Sequence, residues 1–164
     1  VIAPLFTKEV RYWSSDIQRW AAEHGVDPNL LATIMQIESC GYATVSSYAG
    51  AQGLFQVMPF HFASGEDMLD PDTNAKRGGN FIVECLGYSN GDTGLALACY
   101  NGGPSVVSRP FASWAQETQR YYVWGTGIYA DAQQNMSTSD ILTNWYDAGG
   151  GNLCNRASDA LGLE

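Results

Sequence analysis

Asp27-Pro28-Asn29-Leu30-Leu31-Ala32-Thr33-Ile34-Met35-Gln36-Ile37-Glu38-Ser39-Cys40-Gly41 carries the strongest helix signal in the chain. Its opening is a helix start: an N-cap aspartate accepts from free backbone N–H groups, and proline at the first helical position already has the φ the helix requires. Leu30, Leu31, Ile34, Met35 and Ile37 recur at helical spacing as one apolar stripe, and Gly41 stops it. Glu38 falls inside that stripe, four residues after Ile34 and three after Met35. A carboxylate so placed faces the core or a cleft, unless the helix end frays and releases it to solvent. Desolvation and the negative end of the helix dipole both raise its pKa. A carboxyl group kept protonated near neutral pH is what a general acid needs.

On the N-terminal side, Val10, Trp13, Ile17, Trp20 and Ala21 predict one amphipathic helix from Thr7 to His24, stopped by Gly25. On the C-terminal side the texture changes between Tyr42 and Val57 to Ser, Ala and Gly, which predicts loops and one small antiparallel β region around residues 42–57. Further helices are expected from Pro59 (short), over Ala75 to Leu86 with Asp72-Thr73 as cap, over Thr93 to Tyr100, from about Trp114 to Ala132, near Ser139 to Tyr146, and around Asn155 to Leu161. The fold class is therefore mainly α, of the α+β kind. With 164 residues and 45% apolar content, residues 1–164 are expected to form a single domain, with 132–164 a C-terminal extension packed on it.

Charge narrows the function. Eight Lys and Arg against 17 Asp and Glu leave a net −9, which lacks the cationic surface that nucleic acid or anionic lipid demands. No apolar run reaches the roughly 20 residues of a bilayer span, so no transmembrane segment is expected. The first residue, Val1, fits a processed or excised fragment. Five Trp, nine Tyr and six Phe call for a large core or an aromatic-lined cleft. The isolated His24 and His61, and cysteines without a CxxC pair, give no metal-ligand pattern, so no metal and no cofactor is expected.

Four stretches carry a resemblance. Glu38-Ser39 at a helix end, Gly50-Ala51-Gln52-Gly53-Leu54-Phe55-Gln56-Val57-Met58-Pro59, Ala98-Cys99-Tyr100-Asn101-Gly102-Gly103-Pro104, and Glu117-Thr118-Gln119-Arg120-Tyr121 resemble the four successive motifs of the soluble lytic transglycosylases. Those are peptidoglycan-cleaving modules related in fold to goose-type lysozyme. The resemblance covers about Ile17 to Tyr129, and the region after Asp131 falls outside it. Phe55 stands where the family usually has Met, and Cys99 and Gly102 replace alanines. In the fourth motif, counting from Thr118 selects Tyr121 as the functional tyrosine and counting back from Val123 selects Tyr122; Tyr121 requires no insertion.

The resemblance implies a lysozyme-like helical domain that cleaves the β-1,4 bond between N-acetylmuramic acid and N-acetylglucosamine and leaves 1,6-anhydromuramic acid ends. Glu38 would be the single acid and base. Ordinary glycosidases use two carboxylates; between Glu38 and Glu66 there is none, and Glu66, Asp67 and Asp70 read as a solvated acidic loop. Substrate-binding roles would fall to Ser39, Gln56, Tyr100, Asn101 and Tyr121, with Tyr48 and Phe55 as sugar-stacking walls. Neutral amides and hydroxyls suit a glycan. The implied partner is peptidoglycan, bound by a monomer exported to the extracellular space, periplasm or cell wall. A hydrolytic muramidase or chitinase, and a non-catalytic glycan-binding module, are the alternatives.

Four cysteines allow three pairings or four free thiols. The expected pairs are Cys40 with Cys154, tying the tail to the end of the Glu38 helix, and Cys85 with Cys99, stapling neighbouring helices.

Overall fold

The computed structural model describes residues 1–164 and is built of eight α-helices: α1 (Lys8–Arg11), α2 (Ser14–His24), α3 (Pro28–Glu38), α4 (Pro71–Tyr88), α5 (Thr93–Gly102), α6 (Gln116–Gln133), α7 (Asp140–Trp145) and α8 (Gly151–Leu161). At the centre runs α3, whose residues Leu30 to Gln36 are all buried. The expected start is present: the Asp27 side chain accepts from Asn29 N–H at 2.8 Å, with Pro28 following. The other Asp27 carboxylate oxygen accepts from the Tyr129 hydroxyl at 3.0 Å, which ties the start of α3 to α6. α2 and α6 pack on α3, and α5 lies between α4 and α6 with Ala96, Leu97, Ala98 and Cys99 fully buried. Burying leucine and isoleucine side chains like these stabilises the fold by roughly 1.5–3 kcal/mol each.

Polar groups inside the core, the Tyr121 hydroxyl excepted, are satisfied, several of them by bonds between distant segments. Gln36, fully buried on α3, accepts from Thr7 N–H at 3.1 Å, and Asn29 accepts from Ala3 N–H at 2.8 Å, so the first residues are fastened along the central helix. Two disulfides join Cys40 to Cys154 and Cys85 to Cys99. The first fixes α8 beside the end of α3; the second links α4 to α5. These are the pairs expected from the sequence.

Three expectations require correction. The Thr7–His24 helix is two helices, because the chain tightens at Trp13 (φ −91°, ψ 10°), where its indole N–H turns to donate to Gly41 carbonyl at 3.0 Å. The cap of α4 is Asp70, whose side chain accepts from Thr73 N–H at 3.0 Å; Asp72 instead accepts from Trp20 Nε1–H and Arg19. The β region shrinks to two isolated antiparallel bridges, Ser46 with Gln52 and Gln52 with Val57. Glycines at both ends of residues 50–53 turn the chain too tightly for a ladder to continue. In the tail, the glycine run does not break the chain: a one-turn π-helical segment, Tyr146–Gly150, connects α7 to α8 with the kink carried by Gly149 (φ 135°). No helix is long and apolar enough to cross a membrane.

Candidate active site

Glu38 is the last residue of α3, and the chain reverses directly after it through Cys40 (φ 50°) and Gly41 (φ 84°). A Cβ at Gly41 would lie 2.6 Å from the Glu9 carbonyl oxygen, so both the left-handed backbone and the close approach require glycine. Ser39, fully buried, locks this turn: its hydroxyl donates to Leu54 carbonyl at 2.7 Å and accepts from Gly41 N–H at 3.1 Å. It therefore joins the end of α3 to the 50–57 loop, and its hydroxyl is used within the chain and not in the cleft.

Two surface hollows meet at Glu38. One, of about 260 Å³, is lined by Glu38, Ser47, Ala51, Gln56, Met58 and Tyr100 among others. The second, of about 360 Å³, runs from Glu38 past Ile37, Arg120, Tyr121 and Trp124 to Trp145 and Ala148. Asn101 and Glu117 line both. The half-buried carboxyl of Glu38 thus sits at the saddle of a two-lobed cleft. Burial pushes its pKa up to about 8; the neighbouring Tyr121 hydroxyl pulls it partly back, and the Glu117 charge pushes it up. At neutral pH the group is mostly a neutral acid.

The residues around it are held from three sides. Tyr121 on α6 is buried beside Glu38, and its hydroxyl is the one buried side-chain oxygen or nitrogen in the molecule without a hydrogen-bond partner. Burial and the Glu38 charge raise its pKa, so it remains a donor. Tyr122 turns away and packs against Phe111 and Trp114, with ring centroids 5.8 and 5.4 Å distant. Tyr100, at the end of α5, donates to Phe55 carbonyl at 2.6 Å and presents its ring to the smaller hollow. Asn101 accepts from the Thr118 hydroxyl at 2.8 Å while its amide nitrogen reaches Glu117 at 3.4 Å. Gln56, strained into the left-handed region at φ 46°, donates both amide hydrogens inward, to Val45 and Gly53 carbonyls at 3.0 and 2.9 Å. Its carbonyl oxygen remains free to accept from a ligand in the smaller hollow.

Two expected walls are elsewhere. Tyr48 lies on the tip of the Ser47–Gly50 turn, fully exposed, and lines neither hollow, although Ser47 and Ala49 beside it do. Phe55 is a core residue, 1% exposed and edge-on to Trp20 at 5.8 Å. The aromatic residues that do line the larger hollow are Tyr121, Trp124 and Trp145. Glu66 is paired with Arg77 at 2.9 Å and lines a different hollow with Arg19 and Lys76, so the acidic loop supplies no second carboxylate.

Three contributors to the site carry no local signal of that role in the sequence. Glu117 opens the fourth motif, and only the packing of α6 on α5 brings it into the cleft with Glu38. Asn74, fully buried, accepts from Phe55 N–H at 2.8 Å and donates to Gln52 and Met68 carbonyls, which shapes the 50–57 loop from α4. Trp145 comes from the tail, for which no sequence signal pointed to the cleft.

Comparisons with known proteins bear on the family and the fold. A "Transglycosylase" of Enterobacteria phage PRD1 is 33% identical over 111 residues, covering 66% of this chain and 40% of the phage protein. The crystal structure of an inactive mutant of lytic transglycosylase Slt from Pseudomonas aeruginosa superposes with a TM-score of 0.60 at 23% identity, over 77% of this chain and 25% of that one, which shows a shared fold. The matches thus cover less than half of either relative's own length. Residues 15–134 match the Transglycosylase SLT domain, and the chain belongs to that family.

Proposed function

We propose that the chain is a single catalytic domain of a peptidoglycan lytic transglycosylase, with residues 132–164 an extension packed on it, and that Glu38 is its one acid and base. The observation that carries this reading is the placement of Glu38: a carboxyl raised to about 8 at the junction of two hollows lined by amides, hydroxyls and aromatic rings. A strand laid through both lobes would bring its glycosidic oxygen to the saddle.

Protonated Glu38 gives its proton to the glycosidic oxygen that leaves muramic acid C1, and the C1–O bond breaks. The 2-acetamido oxygen of the same sugar closes on C1 and takes up the positive charge. Glu38, now a carboxylate, accepts the proton of the C6 hydroxyl as O6 bonds to C1 and displaces the acetamido oxygen. The product is a 1,6-anhydro ring, no water is consumed, and Glu38 ends protonated as it began. Tyr121 donates to the carboxylate in the middle of the cycle, when its otherwise unpartnered hydroxyl gains an anionic acceptor. Asn101 and the Gln56 carbonyl serve the neutral sugar groups, while Ser39 and Asn74 position these elements without touching substrate. Two disulfides suit an exported protein, acting here as a monomer.

One observation favours a second reading. Glu117 places a second carboxylate in the cleft, which a water-using muramidase would employ as base. Digestion of purified murein tests the assignment of Glu38: Glu38→Gln abolishes cleavage and retains glycan binding. A Glu38→Gln variant that still cleaves at the wild-type rate removes Glu38 from the chemistry.

A further inference from the structure

The two lobes that meet at Glu38 differ in charge. Apart from the carboxyls of Glu38 and Glu117, the smaller lobe offers only neutral groups. The larger holds one cation, Arg120. The other arginines of this chain of net −9 are occupied: Arg19 and Arg77 are paired with carboxylates, Arg11 and Arg109 donate to carbonyls, and Arg156 lies over the Tyr42 ring; the two lysines, Lys8 and Lys76, lie away from the cleft. Arg120 has no ion pair and no internal hydrogen bond, although Glu117 lies one turn before it on α6; that carboxylate is engaged by Asn101. An exposed, unpaired guanidinium at the wall of a cleft is a receptor for a planar anion.

Arg120 and Trp124 together form the boundary between the larger lobe and an apolar shelf made with Phe111 and Val123. On the other side the lobe is closed by Trp145 and Ala148, which lie outside the 15–134 family match and are held by the disulfide from Cys40 to Cys154. A peptidoglycan backbone is uncharged; its carboxylates hang on the peptide branches attached through the lactyl ether of muramic acid. Glu38, once ionised, and Glu117 repel such a branch, and Arg120 is the one group in the cleft that offsets them.

The geometry points to Arg120 as a specificity residue that binds a free carboxylate of the substrate's peptide branch, with Trp124 and Trp145 flanking the branch. The inference rests on the peptidoglycan reading of the site.

Binding of a soluble disaccharide-tetrapeptide to the Glu38→Gln protein tests it, with the branch carboxylates either free or converted to carboxamides. The free form binds about tenfold more tightly to this parent. Adding Arg120→Ala brings the two dissociation constants together, Arg120→Lys keeps part of the preference, and Arg120→Glu inverts it. Persistence of the preference in the Arg120→Ala protein, or no preference in the parent, overturns the inference. Because the readout is binding by a protein that cannot cleave, a wild-type chain that released ordinary reducing ends would refute the transglycosylase reading and leave this ratio standing.

Discussion

A carboxyl held at a pKa of about 8 destabilises the fold whenever the solution forces it to ionise, and Glu38→Gln exposes that cost. In the unfolded chain Glu38 titrates near 4.3, so between roughly pH 4 and pH 8 the native state binds one proton more than the unfolded state. Stability therefore falls as pH rises through this window, and the full penalty is present above the folded pKa. The gap between about 4.3 and about 8 corresponds to ~5 kcal/mol, and partial solvent access at the cleft reduces it to about 2–3 kcal/mol. Glutamine keeps the shape and has no charge to bury. The variant is accordingly more stable than wild type by about 2–3 kcal/mol at high pH, equivalent to a Tm gain of about 5–10 °C in a domain this size, and near wild type below about pH 4. Denaturant titrations of both proteins across that pH range measure the difference. A stabilisation that is the same at both ends of the range, or that shrinks as pH rises, refutes the assignment of a raised pKa to Glu38.

The same group sets the pH–rate profile: cleavage of murein is expected to hold up to about pH 8 and to fall above it, and in Glu117→Gln the fall moves to lower pH because a like charge has been removed. Ser39→Ala leaves the Leu54 carbonyl and Gly41 N–H unpaired at the end of α3 and costs about 1–3 kcal/mol in chemical denaturation, with a smaller change in KM than a sugar-binding hydroxyl would give. Gly102→Ala is destabilising, by about 1–3 kcal/mol in the same measurement, because the new Cβ would lie 2.7 Å from the Thr118 hydroxyl that holds Asn101. Replacing Cys154 by Ser opens a loop of 114 residues and lowers stability by about 4–5 kcal/mol in the chain-entropy account; it also loosens the Trp145 wall, so KM for murein rises.

The central helix was readable because each local signal in 27–41 agrees: cap, proline, stripe and glycine stop all specify α3, and the one residue that violates the stripe is the proposed acid. The 42–57 segment was less readable because its loops are held by groups from outside, Asn74 from α4 and the Ser39 hydroxyl, and neither bond has a local pattern. Its Ser, Ala and Gly texture suggests loops and a small sheet, but the carbonyls and N–H groups are satisfied by tight turns and side chains. Within the site, Glu38, Gln56, Tyr100, Asn101 and Tyr121 come together as the motif order implied. Tyr48 and Phe55 exchange expectation for fact because their neighbours decide their direction: a turn tip sends one to solvent, and Trp20 receives the other. Glu117 and Trp145 required the three-dimensional packing of α6 and the tail, over distances in sequence that no periodicity spans.

In the proposed reaction C1 of muramic acid is captured by the sugar's own C6 oxygen and not by water. Digestion of purified murein in water enriched in heavy oxygen, followed by mass spectrometry of the fragments, tests it most directly. The expected products are anhydro ends lighter by one water than hydrolytic ends and carrying no solvent oxygen. Reducing muramic acid ends that carry the solvent label would contradict it.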